Sequence, residues 1–147
     1  MALTGTSLLL VADGRRARLF EERRRGGALI EVTGRLGDLT HHRPAASGFR
    51  GRIHDRFGPA SHTGGGPAPQ ERRENDFVDA VAARAVQILR GGDYQDLILI
   101  AAPRALGRLR RGVAHAGLTP GLAEARDRVA ETATTLRDAL RDLRTRA

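Results

Sequence analysis

Two continuous apolar runs constrain the fold of this 147-residue chain more than any other feature of its sequence. They are Leu8 to Ala12 near the start and Leu97 to Ala102 about two thirds of the way along the chain. A strand that is buried on both faces has a continuous apolar sequence of this kind, whereas a strand with one solvent-exposed face alternates apolar and polar residues. We therefore expect two central strands of a buried sheet, and the length predicts a single domain over residues 1–147.

Weaker patterns predict two further strands beside the first apolar run. Ala17 to Glu22 alternates in character and can pair back on the first run through the turn at Asp13 to Arg16. Gly26-Gly27 closes another hairpin, and Ala28 to Thr33 forms a third strand. The first third of the chain is therefore expected to be a three-stranded antiparallel meander.

Helices and strands alternate in the second half. Apolar residues recur at helical spacing from Phe77 to Leu89, which predicts a main helix. Pro103 begins a second helix after the second apolar run, Asp127 to Thr132 are assigned to a last strand, and a terminal helix follows. A meander joined to βαβ units predicts an α/β protein with a single mixed sheet flanked by helices, of the ribonuclease H-like kind.

Residues 41–73 differ from the rest of the chain in composition. They hold four of the six prolines, and they carry six of the 25 basic residues but two of the 17 acids, in a chain whose formal charge is +8. This composition predicts a long Gly/Pro/Arg/His-rich loop. Because loops of this length are usually functional or disordered, the segment is a first place to look for function.

No catalytic residue, metal site or cofactor is predicted. The chain has no cysteine, which excludes disulfides, thiol nucleophiles and cysteine-ligated metals. A ribonuclease H-type nuclease needs several carboxylates at strand ends, but Asp13 has no acidic counterpart after Leu97 to Ala102, so it is expected to be a turn residue. Gly64-Gly65-Gly66 lacks the lysine of a phosphate-binding P-loop. The remaining candidate ligands match no recurrent metal site: His41, His42, His54, Asp55 and His62.

Arginine is the residue type that points to a binding function. All 25 basic residues are arginine; a coding bias accounts for the missing lysine, while the surplus charge leaves an anionic partner open. Four arginines lie within eight residues that contain no acid, so their charge is not locally neutralised: Arg104, Arg108, Arg110 and Arg111. They form either a solvated helix face or a phosphate contact. The loop adds Arg50, Arg52 and Arg56, and the 3% aromatic content disfavours a binder that stacks bases on rings.

Two separate segments resemble the bacterial host attachment protein family. They are Leu9 to Phe20, which contains Asp13, Gly14 and Arg18, and Leu97 to Arg110. The loop and main helix between them are also similar, and the resemblance spans residues 7 to about 143. The family name implies that bacteria need the protein in order to attach to a host cell. A leaderless, strongly basic α/β domain is a poor adhesin, so we expect an indirect effect on attachment and a cytoplasmic location.

That family in turn resembles the middle domain of archaeal and eukaryotic class 1 peptide release factors. In those factors a loop before the long helix carries Gly-Gly-Gln, which enters the peptidyl transferase centre. The corresponding place here reads Gly64-Gly65-Gly66-Pro67, and the next glutamine is Gln70. The catalytic glutamine is therefore missing or displaced, and the resemblance implies docking to ribosomes, ribosomal RNA or tRNA in place of hydrolysis.

Three functions follow from these observations. The leading one is a non-enzymatic RNA- or ribosome-associated module. The alternatives are a protein-interaction factor that recognises an acidic protein or polysaccharide, and a hydrolase acting on RNA or on a tRNA ester. An exposed sheet edge would also allow a homodimer, and no membrane span is expected.

Overall fold

The computed structural model describes residues 6–42 and 68–147, which form a five-stranded mixed sheet with helices on both faces. The strands are β1 Ser7–Ala12, β2 Ala17–Glu22, β3 Leu29–Glu31, β4 Asp96–Ala101 and β5 Leu122–Ala125. The helices are α1 Pro69–Gly91, α2 Pro103–His115 and α3 Ala133–Arg146, and a 3-10 segment covers Thr33–Thr40. The predicted α/β class with one mixed sheet is confirmed.

The strand order is β3-β2-β1-β4-β5. β1, β2 and β3 pair antiparallel as the predicted meander, whereas β4 lies parallel to β1 and β5 lies parallel to β4. All six residues of β1 are buried, as its unbroken apolar run predicts. Because successive side chains of a strand point to opposite faces, Leu8 and Leu10 pack with α1 and α2 while Leu9 and Val11 pack with α3. The core therefore lies in two layers around the β1–β4 pair.

Helix α1 begins earlier than the sequence pattern indicates. The predicted loop end at residue 73 is wrong, because the helix starts at Pro69 and includes Gln70 in its first turn. Proline at the start of a helix loses no intrahelical hydrogen bond, and Glu71 in the first turn suits the helix dipole. The first buried residue of α1 is Phe77, so apolar periodicity cannot reveal the two turns before it.

Two short elements also differ from the prediction. The last strand is Leu122–Ala125 instead of Asp127 to Thr132; it is a partly exposed edge strand with no β-branched residue, which explains why its sequence does not stand out. Residues 127–132 instead lead into α3, where the Thr132 hydroxyl accepts a 3.1 Å hydrogen bond from the amide of Thr135. The third strand ends at Glu31, and the chain continues into the 3-10 segment, in which Gly37 has a φ of 63°.

No helix in the described parts of the chain is both long enough and apolar enough to cross a bilayer.

Acid is expected to destabilise this fold through carboxyls whose pKa values lie below their ordinary 4.5, three of which are on strands of the sheet. Hydrogen bonds from Tyr94 to Glu21 and from Arg18 to Glu31 lower the first two pKa values. At Glu124 burial raises the pKa, but Arg128 and Arg146 outweigh that effect.

A carboxyl with a lower pKa in the folded chain contributes stability above its unfolded pKa, and that contribution is lost as pH falls through the folded pKa. The urea midpoint of unfolding should therefore fall most steeply below about pH 4.5 and change little between about pH 5 and pH 7. A midpoint that stays constant down to about pH 3 would contradict this account.

Candidate nucleic-acid interface

A cleft of about 200 Å³ lies where β1 and β4 end. The two strands are parallel, so their carboxyl ends meet at one edge of the sheet. The chain then turns away in opposite directions, from β1 to β2 on one side and from β4 towards β5 on the other. Ligands of α/β proteins bind at such a reversal of strand order. The cleft is lined by Gly14, Glu74, Asn75, Val78, Ala102, Arg104, Ala105 and Arg108.

The turn after β1 forms one wall of this cleft and uses Asp13 for its own backbone. The Asp13 carboxylate accepts hydrogen bonds from the amides of Arg15 and Arg16, both at 2.7 Å, and the Asp13 amide donates to the Arg16 carbonyl at 3.0 Å. The Asp13 carboxylate therefore stabilises its own turn, as expected of a turn residue. The described residues also contain no group of three or more histidine and acidic side chains that could hold a metal ion.

Glu74 joins that turn to α1. Its carboxylate accepts a 3.0 Å bond from the Arg15 guanidinium and another 3.0 Å bond from the Gln70 amide. The hydrogen bond from Gln70, followed by that from Arg15, lowers the pKa of Glu74. Glu74 is therefore an anionic hydrogen-bond acceptor at the mouth of the cleft.

Two of the predicted arginines are neutralised, contrary to the prediction from local sequence. Arg108 makes a two-pronged ion pair with Asp79, at 2.9 Å and 2.6 Å, which raises the pKa of the arginine. Arg104 pairs with Glu71. Both acids lie on α1, about thirty residues earlier, and the packing of α1 on α2 brings them close. The Arg104–Glu71 pair nevertheless stays largely in water, because the Arg104 side chain is 70% exposed.

Arg110 and Arg111 keep their charge free. Both are exposed, and neither forms an ion pair with any other residue in the described ranges. Arg110 also borders a separate cleft of about 440 Å³ beside the edge strand β5. Of the predicted arginines that the structure describes, this pair is the best placed for an external anion.

The other predicted site residues are divided between the described and undescribed parts of the chain. Gly64, Gly65, Gly66, Arg50, Arg52 and Arg56 lie outside the described residues, as do His54, Asp55 and His62. Gln70 belongs to α1 and donates to Glu74, so it is a helix residue instead of a loop residue. His42, which precedes the undescribed segment, donates its amide to the carbonyl of Arg15 at 2.5 Å. Both flanks of residues 43–67 thus lie beside the turn that borders the cleft.

Arg18, the third signature residue of the first motif, lies away from this cleft. Its guanidinium donates to the carbonyls of Val129 and Glu131 and to the carboxylate of Glu31. It also stacks over the ring of Phe20, 5.0 Å from the ring centre. These contacts give Arg18 a structural role.

The fold and cleft define a mixed α/β protein with exposed arginines beside the carboxyl ends of its parallel strands. A family model described as protein required for attachment to host cells matches residues 8–140. The chain belongs to this family. A search of curated proteins finds none that matches it.

Proposed function

We propose that this host attachment family protein contacts RNA through the exposed arginines of α2. The observation that carries the proposal is the adjacent pair Arg110 and Arg111, two exposed guanidinium groups without an acidic partner in the described chain. Free guanidinium groups donate two parallel hydrogen bonds to phosphate oxygens, which makes arginine suited to a nucleic-acid backbone.

Arg104 and Arg108 extend the same helix towards the cleft. Exposed ion pairs contribute about 0–1 kcal/mol, so exchanging the Glu71 partner of Arg104 for a phosphate costs little. Arg108 is held more firmly by two short hydrogen bonds, and its side chain is 31% exposed. We therefore assign the phosphate contacts to Arg104, Arg110 and Arg111. Arg108 instead holds α2 against α1 through its ion pair with Asp79.

Two further properties favour RNA. The chain has a formal charge of +8, and four of its arginines lie in residues 43–67, whose flanks lie beside the cleft: Arg43, Arg50, Arg52 and Arg56. The resemblance to release-factor middle domains points to ribosomes or tRNA as the source of that RNA. Pro67 follows the three glycines where those factors have glutamine, so the proposed activity is binding without hydrolysis. An effect on attachment to host cells is then indirect, through translation inside the bacterium.

Removing the charges of Arg110 and Arg111 should weaken RNA binding more than removing the same charge elsewhere on the surface. We expect Arg110→Gln/Arg111→Gln to lower the affinity for a tRNA-sized RNA without a terminal phosphate by about tenfold or more, because two charge-assisted contacts are lost. Fluorescence anisotropy of labelled RNA measures this change.

The matched control is Arg23→Gln/Arg24→Gln. This is also an adjacent, exposed pair in the turn between β2 and β3, and the ion pair of Arg23 with Glu21 lies largely in water because the Arg23 side chain is 67% exposed. It removes the same net charge and should change the affinity less than about twofold. Equal losses for the two double variants would show that the protein responds to total charge and would refute the assignment to α2.

A further inference from the structure

A second cleft lies at the opposite edge of the sheet, where β1 and β4 begin. It has a volume of about 270 Å³ and lies between the β2–β3 turn and the C-terminal half of α3. Its position follows from Glu22, which pairs with Ser7 at the start of β1 and binds Arg144 of α3. Four of its six lining residues are arginines and none is acidic: Arg25, Gly26, Arg137, Arg141, Arg144 and Thr145.

The positive charge of this cleft is incompletely neutralised. Arg25 is exposed and forms no ion pair within the described residues. Arg137 and Arg141 both approach the same oxygen of Asp138, each at 3.6 Å, and that carboxylate is 53% exposed. Two guanidinium groups thus share one distant carboxylate at the rim, and the third has no ion-pair partner in the described chain.

Two buried donors around the same cleft make no hydrogen bond. The Nε–H groups of Arg137 and Arg144 are both shielded from solvent, and the Nε of Arg137 lies 3.6 Å from Asp138, just beyond hydrogen-bond distance. The two terminal nitrogens of Arg144 are already bound to Glu22 at 2.7 Å and 2.6 Å, so its Nε–H is the donor left over. Buried donors of charged groups are strongly favoured to find an acceptor, and oxygens of a bound anion would supply it.

We propose that this cleft binds a phosphate group through Arg25, Arg137 and Arg141. A phosphate has more oxygens than the two of a carboxylate, so it can accept from more guanidinium groups at once. The volume is slightly below the ~300–1,000 Å³ of sites for drug-sized ligands, so it suits a phosphate with a small organic group. The site differs in place from the proposed RNA contact, which lies on α2.

Calorimetric titration of the full chain tests this proposal with two probes, inorganic phosphate and a nucleoside 5′-monophosphate. We expect at least one of them to bind saturably with one site per chain. Tighter binding of the monophosphate would identify a phosphorylated metabolite as the ligand, and equal or tighter binding of inorganic phosphate would identify the free anion.

Arg137→Gln/Arg141→Gln should weaken that binding by about tenfold or more, since both forks lose their charge. Arg110→Gln/Arg111→Gln, on the far side of the sheet, should leave it unchanged. Arg144 is left intact in both variants because of its contact with Glu22. Unsaturable titration of both probes by the folded wild-type chain would overturn the proposal, as would binding that survives in Arg137→Gln/Arg141→Gln.

Discussion

Replacing Glu22 with alanine is expected to destabilise the protein by about 3–5 kcal/mol, which is the usual cost of removing one partner from a buried ion pair. The Glu22 side chain is 1% exposed, and its carboxylate accepts two bonds from Arg144 and a 2.9 Å bond from the amide of Gly26. Without Glu22, the guanidinium of Arg144 stays charged with a side chain that is 15% exposed. The arginine cannot avoid this cost by losing a proton, because a guanidinium group stays charged in proteins.

Urea unfolding measures the loss, and a double variant tests its cause. Glu22→Leu/Arg144→Leu removes both charges and replaces them with apolar side chains, so it should recover much of the stability lost in Glu22→Ala. Arg146→Ala is the matched control on the same helix, because the Arg146 side chain is 58% exposed and its pair with Glu124 should contribute at most about 1 kcal/mol. A loss below about 1 kcal/mol for Glu22→Ala would show that the pair is not structurally important.

The second large effect is expected at Arg18, where alanine should cost about 2–4 kcal/mol of unfolding free energy. Its guanidinium donates to the carbonyls of Val129 at 2.8 Å and Glu131 at 2.6 Å, and to Glu31 at 3.0 Å and 3.1 Å. These bonds join β2 to β3 and to the turn before α3. Truncation leaves both carbonyls without this partner and removes the packing over Phe20.

Two further variants separate charge from geometry at this position. Arg18→Lys keeps the charge but lacks the planar fork, so it should recover only a small part of the loss. Arg16→Ala is the control in the neighbouring turn, because its pair with Asp13 spans 4.0 Å and its side chain is 54% exposed, and it should cost less than about 0.5 kcal/mol. Full recovery by Arg18→Lys would assign the effect to charge alone.

The parts of the fold that sequence reasoning predicted are those whose signal is local. The run Leu8 to Ala12 is apolar because both faces of β1 are covered, and the helix of α1 is visible from Phe77 onward because its core-facing residues begin there. The polar first turns of α1 and the short edge strand Leu122–Ala125 bury too little apolar surface to produce a periodic pattern. Their position depends on packing between distant parts of the chain.

The same distinction applies to the candidate sites. Local sequence predicts one helix for Arg104 and Arg108, but their neutralisation by Glu71 and Asp79 is a contact between two helices and joins residues about thirty positions apart. The phosphate cleft was missed because it joins the β2–β3 turn to α3. More than one hundred residues separate these elements, and no spacing rule connects them.

The salt dependence of tRNA binding tests the proposed RNA contact most directly. Each phosphate contact contributes about 0.7 for a single strand to about 0.9 for a duplex to the slope of log affinity against log salt, so losing two contacts should reduce the slope by about 1.4–1.8. We predict that reduction for Arg110→Gln/Arg111→Gln relative to wild type, and an unchanged slope for Arg23→Gln/Arg24→Gln. Identical slopes for wild type and the Arg110→Gln/Arg111→Gln variant would contradict the proposal that α2 contacts RNA phosphates.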